Sequence, residues 1–287
     1  MDAWIILSPI LKALFYVASF GSVGSFLFSL HFAKHLTAEQ KAYCDSLGYR
    51  CTLAGATLSL LMVLSVAGNL GGDIVSVINP LLLQLALESK SGVGYLTAVI
   101  GFTGMLVAHR LRGYANKLGL LVSSGVILLS FTMSGHSQLG GVLTQSLLFI
   151  HLFGIAFWLG ALLPFRWMCL QSDPRNLSIV AHHFGVFAIG YVGLLISVGL
   201  CYAYLLLGNI SLIFTTLYGN VLLIKIALVV ALLSFGAFNK FKLVPTLEIK
   251  RARAVGQSSP SRPSRSAARS SARRRRRRRS RATAGAA

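Results

Sequence analysis

FTMSGHSQLGGVLTQSLLFIHLFGIAFWLGALLP, residues Phe131–Pro164, is the stretch on which the fold turns. It holds the end of one apolar run, a short uncharged turn carrying His136, and a second apolar run with His151 inside it. Trp158-Leu159-Gly160 follows His151 after one to two helical turns. An apolar run of about 20 residues crosses the ~30 Å hydrocarbon layer as a helix. An imidazole inside such a run is costly unless it has a partner or a ligand. Two imidazoles on either side of one tight turn can face the same space, which points to a metal.

Working outward, the whole chain repeats this apolar pattern. Of its 287 residues 55% are hydrophobic and only 12% charged, where a soluble domain carries about a quarter charged residues. The apolar segments are continuous and do not alternate, which argues against a β-barrel. The expected fold is all-α, a polytopic transmembrane helix bundle. Seven spans are read: Trp4–Leu30, Cys51–Leu70, Val93–Ala108, Leu118–Ser134, Val142–Trp167, Phe184–Leu207 and Leu217–Phe241. Pro80–Leu87 is apolar but too short to span and reads as a surface helix or a re-entrant turn. The first apolar run is too long for the core of a cleavable signal, and no small-residue cleavage site follows it.

The net charge of +20 joins two kinds of chain. Residues 1–249 hold 13 Lys and Arg and all 7 acids, for +6, whereas residues 250–287 hold 14 basic residues and no acid, for +14. The tail, built from Ser, Arg, Ala and Pro with seven consecutive arginines at Arg273–Arg279, has nothing to bury and reads as disordered. A solvated polybasic tail is the plain reading, an arm for nucleic acid or anionic lipid the functional one. No specific nucleic acid is expected as a partner.

Lys and Arg also set the orientation. Lys34, Lys41 and Arg50 follow the first span, Arg110, Arg112 and Lys117 the third, Arg166 and Arg175 the fifth, and Lys240 and Lys242 the seventh. The alternate loops hold only Lys90. The N-terminus and the loops around Asp73, His136 and Asn209 are therefore expected outside.

Met133 lies three residues before His136. If the helix runs through the turn, thioether and imidazole share a face. Thioether and imidazole suit Cu(I), and imidazole also suits Cu(II). His151 is expected ~12–14 Å below the outer edge. On pattern alone the plainer reading leads, with His136 an exposed turn residue and His151 a hydrogen-bonded core histidine. Lys225 is the second anomaly. At about the depth of His151, it should face the bundle interior, because Lys in hydrocarbon costs ~2.5–3.5 kcal/mol. Gly219 would permit close helix approach, with Tyr218 an interfacial aromatic. Cys44, Cys51 and Cys169 fall on the inner side with His31, His35, His182 and His183; reduced thiols there could receive Cu(I), but the leading reading is incidental small residues, since no CxxC spacing appears. Cys201 is mid-span and reads as packing.

No Walker A loop, GxSxG elbow, HExxH or intramembrane carboxylate pair is present, so the chain does not read as an enzyme.

Ser134-Gly135-His136, His151 with Trp158-Leu159-Gly160 and Pro164, Tyr218-Gly219-Asn220-Val221-Leu222-Leu223-Ile224-Lys225, and Asn239-Lys240 with Pro245 follow one another in an order and spacing that resembles the CopD (YebZ-like) copper-resistance membrane protein family over roughly residues 1–248. The resemblance implies a multi-pass protein of the bacterial inner membrane, with a periplasmic N-terminus under the charge rule above. It further implies copper handling between periplasm and cytoplasm, often beside a periplasmic copper-binding protein of the CopC type. On this reading His136 is the entry ligand, Met133 a softer second ligand and His151 the deeper one. Lys225 is an interior cation that limits occupancy, Trp158 a packing or gating aromatic, and Tyr218 and Asn239 accompany them as pathway or structural residues.

Two departures stand out. Where the family tends to have an Arg-Phe pair, this chain has His182-His183-Phe184. The family-typical eighth span is missing, and the arginine tail stands in its place. That tail has the composition of a GC-rich gene read in the wrong frame, and an apolar stretch of spanning length in another frame downstream of Lys250 is then expected. Two rival classes are a b-type haem electron carrier, which needs two imidazoles at equal depth on facing spans, and a structural scaffold for a periplasmic copper carrier.

Overall fold

A computed structural model describes residues 4–134, 141–171, 174–207 and 212–238. The helices are α1 (Trp4–His31), α2 (Ala38–Gly71), a 3-10 turn (Val75–Ile78), α3 (Pro80–Glu88), α4 (Lys90–Arg110), α5 (Gly113–Ser130), α6 (Gly141–Gln171), α7 (Pro174–Leu207), α8 (Leu212–Thr215) and α9 (Leu217–Phe238). No strand occurs among the described residues, and the all-α expectation holds. The chain splits into two units, 1–224 and 225–287. The boundary expected at 249/250 lies outside the described residues.

Five helices, α1, α2, α4, α6 and α7, are long and apolar enough to cross a membrane. They carry five of the seven expected spans. The other two coincide with α5, which takes in polar Asn116 and Lys117 at its start, and with α9. α2 begins 13 residues before the expected span, at Ala38 rather than Cys51. Its start is fixed by a capping box: Thr37 Oγ1 accepts from the Gln40 backbone N–H at 3.3 Å, and the Gln40 side chain accepts from the Thr37 N–H at 2.9 Å. That reciprocal pairing satisfies two orphan donors and extends the helix through polar residues. Gly72, at φ 80°, closes α2 in the left-handed region that favours glycine. Pro80–Leu87 is a surface helix: Asn79 caps it, Ala86 is buried, and Leu81 and Leu85 are exposed.

In the first unit α1 is central, packing on α2 and α6; α2 also packs on α4, α4 on α5, and α6 on α7. Lipid tails are as apolar as leucine, so close van der Waals fit has to hold such helices together. The sequence supplies it with small residues. Where α1 crosses α6, a Cβ on Gly24 would stand 2.4 Å from Gly160 Cα and 2.2 Å from the Ala156 carbonyl oxygen, so the two backbones touch directly. Buried hydroxyls are satisfied within their own helices, as in Ser19 Oγ to the Phe15 carbonyl (2.7 Å), Thr52 to Gly48 (2.7 Å) and Ser124 to Leu120 (2.7 Å). Around this seam Phe15, Phe28, Phe32, Phe102 and Phe157 are fully buried, while Ile5, Val17, Leu60 and Ile100 face outward, as a lipid-facing belt requires.

One corner ties the start of α1 to the end of α2. The Trp4 indole N–H donates to the Asp73 carbonyl oxygen at 2.9 Å, and its ring lies over Gly68, where no side chain would fit. The Asp73 carboxylate accepts from the Ser76 hydroxyl and the Ser76 backbone N–H, which holds it below the usual carboxylate range.

Candidate metal site

His151 lies about three turns into α6. Its ring sits against α7, where a Cβ on Gly199 would stand 3.3 Å from His151 Cε1 and 3.7 Å from Nδ1. The ring is also within hydrogen-bonding reach of the Leu195 backbone carbonyl on α7. His151 Nδ1 is nevertheless buried without a hydrogen-bond partner. The plainer reading, a hydrogen-bonded core histidine, has its support in the Leu195 backbone, while Nδ1 is left without a partner of its own. Leaving a buried polar atom unpaired costs about 1–3 kcal/mol, a cost that a bound cation would remove. A neutral imidazole nitrogen is a ready donor to copper.

Met133 lies elsewhere. α5 ends at Ser130, and Phe131–Ser134 form turns. The Ser130 and Thr132 hydroxyls bond back to the carbonyls of Ile127 (2.7 Å) and Leu129 (2.8 Å), competing with continued helix. The argument that a continuous helix aligns Met133 with His136 therefore lacks its helix. Met133 Sδ accepts from the Thr97 hydroxyl of α4 at 3.2 Å. Met133 is thus set against α4 and His151 against α7, and α5 and α6 touch only along a short stretch. His136 and Asn239 lie outside the described residues. Tyr218 and Lys225 are on α9, described for their backbone alone. Trp158 is half-buried on α6, and Gly160 beside it makes the crossing with Gly24.

Sequence reasoning put His31, His35, His182 and His183 on one side of the membrane without joining them, and the structure gathers them where α1 meets α7. His31 Nδ1 lies 2.8 Å from the Leu27 carbonyl oxygen, which can only accept, so Nδ1 carries the proton. His31 Nε2, 3.0 Å from the Tyr191 hydroxyl, is then the acceptor in the neutral ring. Tyr191 stacks on Phe157 at 4.1 Å, and Phe32 meets Phe187 edge-on at 5.8 Å. Beyond Phe32, the rings of His35 and His183 approach to 4.2 Å at a tilt of 34°, with His182 6.0 Å from His183. The signal was the four-residue spacing of His183, Phe187 and Tyr191, which puts them on one face of α7.

No group of three or more His, Cys, Asp or Glu side chains able to hold a metal occurs among the described residues. Cys44, Cys51, Cys169 and Cys201 are free thiols. The facing imidazole that a haem would need is not opposite His151, where α7 presents Leu195 and Gly199.

The chain is similar to known copper-resistance membrane proteins. The family described as Copper resistance protein D-like, N-terminal domain matches residues 1–145, and the family described as Copper resistance protein D matches residues 179–285. The inner membrane protein YebZ of Escherichia coli (strain K12) is 29% identical over 215 residues, covering 69% of this chain and 71% of that protein. No solved structure matches.

Proposed function

We propose, from the premise that this chain belongs to the copper resistance protein D family, that it binds copper within its helix bundle and assists copper movement or sequestration across the bacterial inner membrane. The observation that carries this reading is the buried, unpartnered Nδ1 of His151 at the α6–α7 contact. In this reading His136, between α5 and α6 in the chain, is the entry ligand and His151 the deeper one, while Met133, set against α4, is a softer second donor that does not share an ion with His151. Trp158 packs or gates on the same helix as His151, and Lys225 is an interior cation that limits occupancy. Tyr218 and Asn239 accompany them as pathway or structural residues. The name of the relative YebZ supports the inner membrane as the location, and the basic loops support a periplasmic N-terminus. A periplasmic copper-binding protein of the CopC type delivers or receives the ion. Nothing in the sequence binds a nucleotide, so the movement is passive or exchange-driven.

Metal analysis of the purified protein tests this. Wild type retains copper, His151→Ala loses it, and His136→Ala weakens it. Unchanged copper content in His151→Ala overturns the assignment. Copper uptake into vesicles with and without His151→Ala then separates transport from a scaffold role.

A further inference from the structure

We propose that the outward face of α4 and the basic turn after it bind one anionic phospholipid, with an acyl chain along the helix and the phosphate at Arg110 and Arg112. The proposal stands apart from the copper reading and uses none of its residues.

The α4–α5 hairpin builds the site. α4 packs on α2 and α5, and the face left over carries a shallow groove of about 450 Å³ between Val99 and Leu111. That volume lies within the ~300–1,000 Å³ of small-molecule sites. Ile100, Val107 and Leu111 stand exposed along it, while half-buried Gly104 and buried Ala108 keep it low between them. Both are held small by α5. A Cβ on Gly104 would stand 2.9 Å from Ser123 Oγ, and one on Gly119 2.8 Å from the Ala108 Cβ. The rise from Val99 to Leu111 is about 18 Å, close to one leaflet, or half of the ~30 Å hydrocarbon layer.

One end of this groove is basic. Arg110 closes α4 three residues beyond Val107, so helical register puts it on the groove's face. Gly113, at φ 64°, turns the chain into α5, and the Asn116 amide donates to the Ala108 carbonyl oxygen at 2.8 Å, holding the turn against the end of α4. Arg110, Arg112 and Lys117 are exposed around that turn, and residues 89–172 contain no acid. Asp45 of α2 lies toward His109, on the α2 side of α4.

Charge selects the occupant. Two copies inserted in one orientation and packed groove to groove would bring both sets of arginines to the same level, where they repel. A zwitterionic lipid offers no net charge to offset them. An anionic phosphodiester pairs with guanidinium groups through charge-assisted hydrogen bonds, and its acyl chain covers the groove below. Basic pockets at the cytoplasmic ends of membrane helices hold anionic headgroups in this way. Tyr114, exposed beside the turn, suits the headgroup level.

Lipid quenching in vesicles tests the proposal on the full-length chain. Val107→Cys, in a background with the four native cysteines replaced, carries a bimane fluorophore at the groove, and Leu60→Cys on α2 carries it at another exposed position. Phosphatidylcholine vesicles contain a minor share of either brominated phosphatidylglycerol or brominated phosphatidylcholine. At Val107 the brominated phosphatidylglycerol is expected to act as if enriched on the order of ten-fold over its bulk share, with no enrichment at Leu60. Arg110→Gln/Arg112→Gln is expected to remove the enrichment. Thr103→Trp, which keeps both arginines and fills the groove from an exposed position, is expected to remove it too. The arginine tail is common to every variant, so its own attraction for anionic lipid cancels. Equal quenching by the two lipids at Val107, equal enrichment at Leu60, or enrichment that survives either variant overturns the proposal. Weak quenching by both lipids with disulfide cross-linking of unlabelled Val107→Cys between copies gives the groove to a second copy, and also overturns it.

Discussion

At the scale of a residue, His151 shows how a local cost and a function coincide. Its position inside an apolar run was legible in the sequence, because an imidazole there breaks the composition around it. That Nδ1 would be left without a partner was not legible. It depends on α7, where Gly199, 48 positions away, supplies a bare backbone and no hydroxyl or amide. Such an unpaired nitrogen costs about 1–3 kcal/mol, so His151→Leu, close in volume and with nothing to satisfy, is expected to stabilise the copper-free protein by about 1 kcal/mol. The same change is expected to abolish the stabilisation that added copper gives wild type, because a ligand that binds only the folded state stabilises it. Thermal unfolding in detergent, with and without copper, reads both effects. A destabilised copper-free variant would show that His151 is satisfied in the resting protein.

At the scale of an element, hydropathy located the helices well and their ends less well. α1, α4 and α6 begin within a few residues of the expected spans, but α2 starts at Thr37 and Gln40, whose reciprocal bonds are a polar signal that an apolar count passes over. What the sequence hid more fully was which glycines matter. Gly24 and Gly160 are 136 positions apart, and only packing reveals that a Cβ on either would stand 2.2–2.6 Å from backbone atoms of the other helix. Backbone cannot rotate aside as a side chain can, so Gly24→Ala and Gly160→Ala must push α1 and α6 apart. Each is expected to cost roughly 1–3 kcal/mol. Gly190 on α7 meets nothing within 4 Å, so Gly190→Ala is expected to be neutral or to gain up to about 1 kcal/mol from helix propensity. Unfolding of the three variants in one detergent makes the comparison, and equal effects at all three positions would show that the α1–α6 crossing is not a tight seam.

At the scale of the whole first unit, the basic loops and the contacts agree about which ends lie together. The chain after α1, with Lys34, meets the start of α7 through His35 and His183, and Tyr49 near the start of α2 meets His109 at the end of α4 edge-on at 5.6 Å. That end also carries Lys34 in the turn after α1, Lys41 and Arg50 in the first part of α2, and Arg110 and Arg112 at the end of α4 and just beyond. At the other end Trp4 is bonded to Asp73, and Met133 reaches Thr97 near the start of α4, where the loops are nearly free of Lys and Arg. The segregation of charge, read from sequence, is therefore matched by segregation in space. Since Lys and Arg in short loops are retained on the cytoplasmic side, the Asp73 end is expected outside. In a background with the four native cysteines replaced, Asn79→Cys is expected to react with a membrane-impermeant maleimide in intact cells, and Lys34→Cys only after permeabilisation. The reverse pattern would invert the bundle. It would put the His35–His183 end outside and the Trp4–Asp73 corner inside.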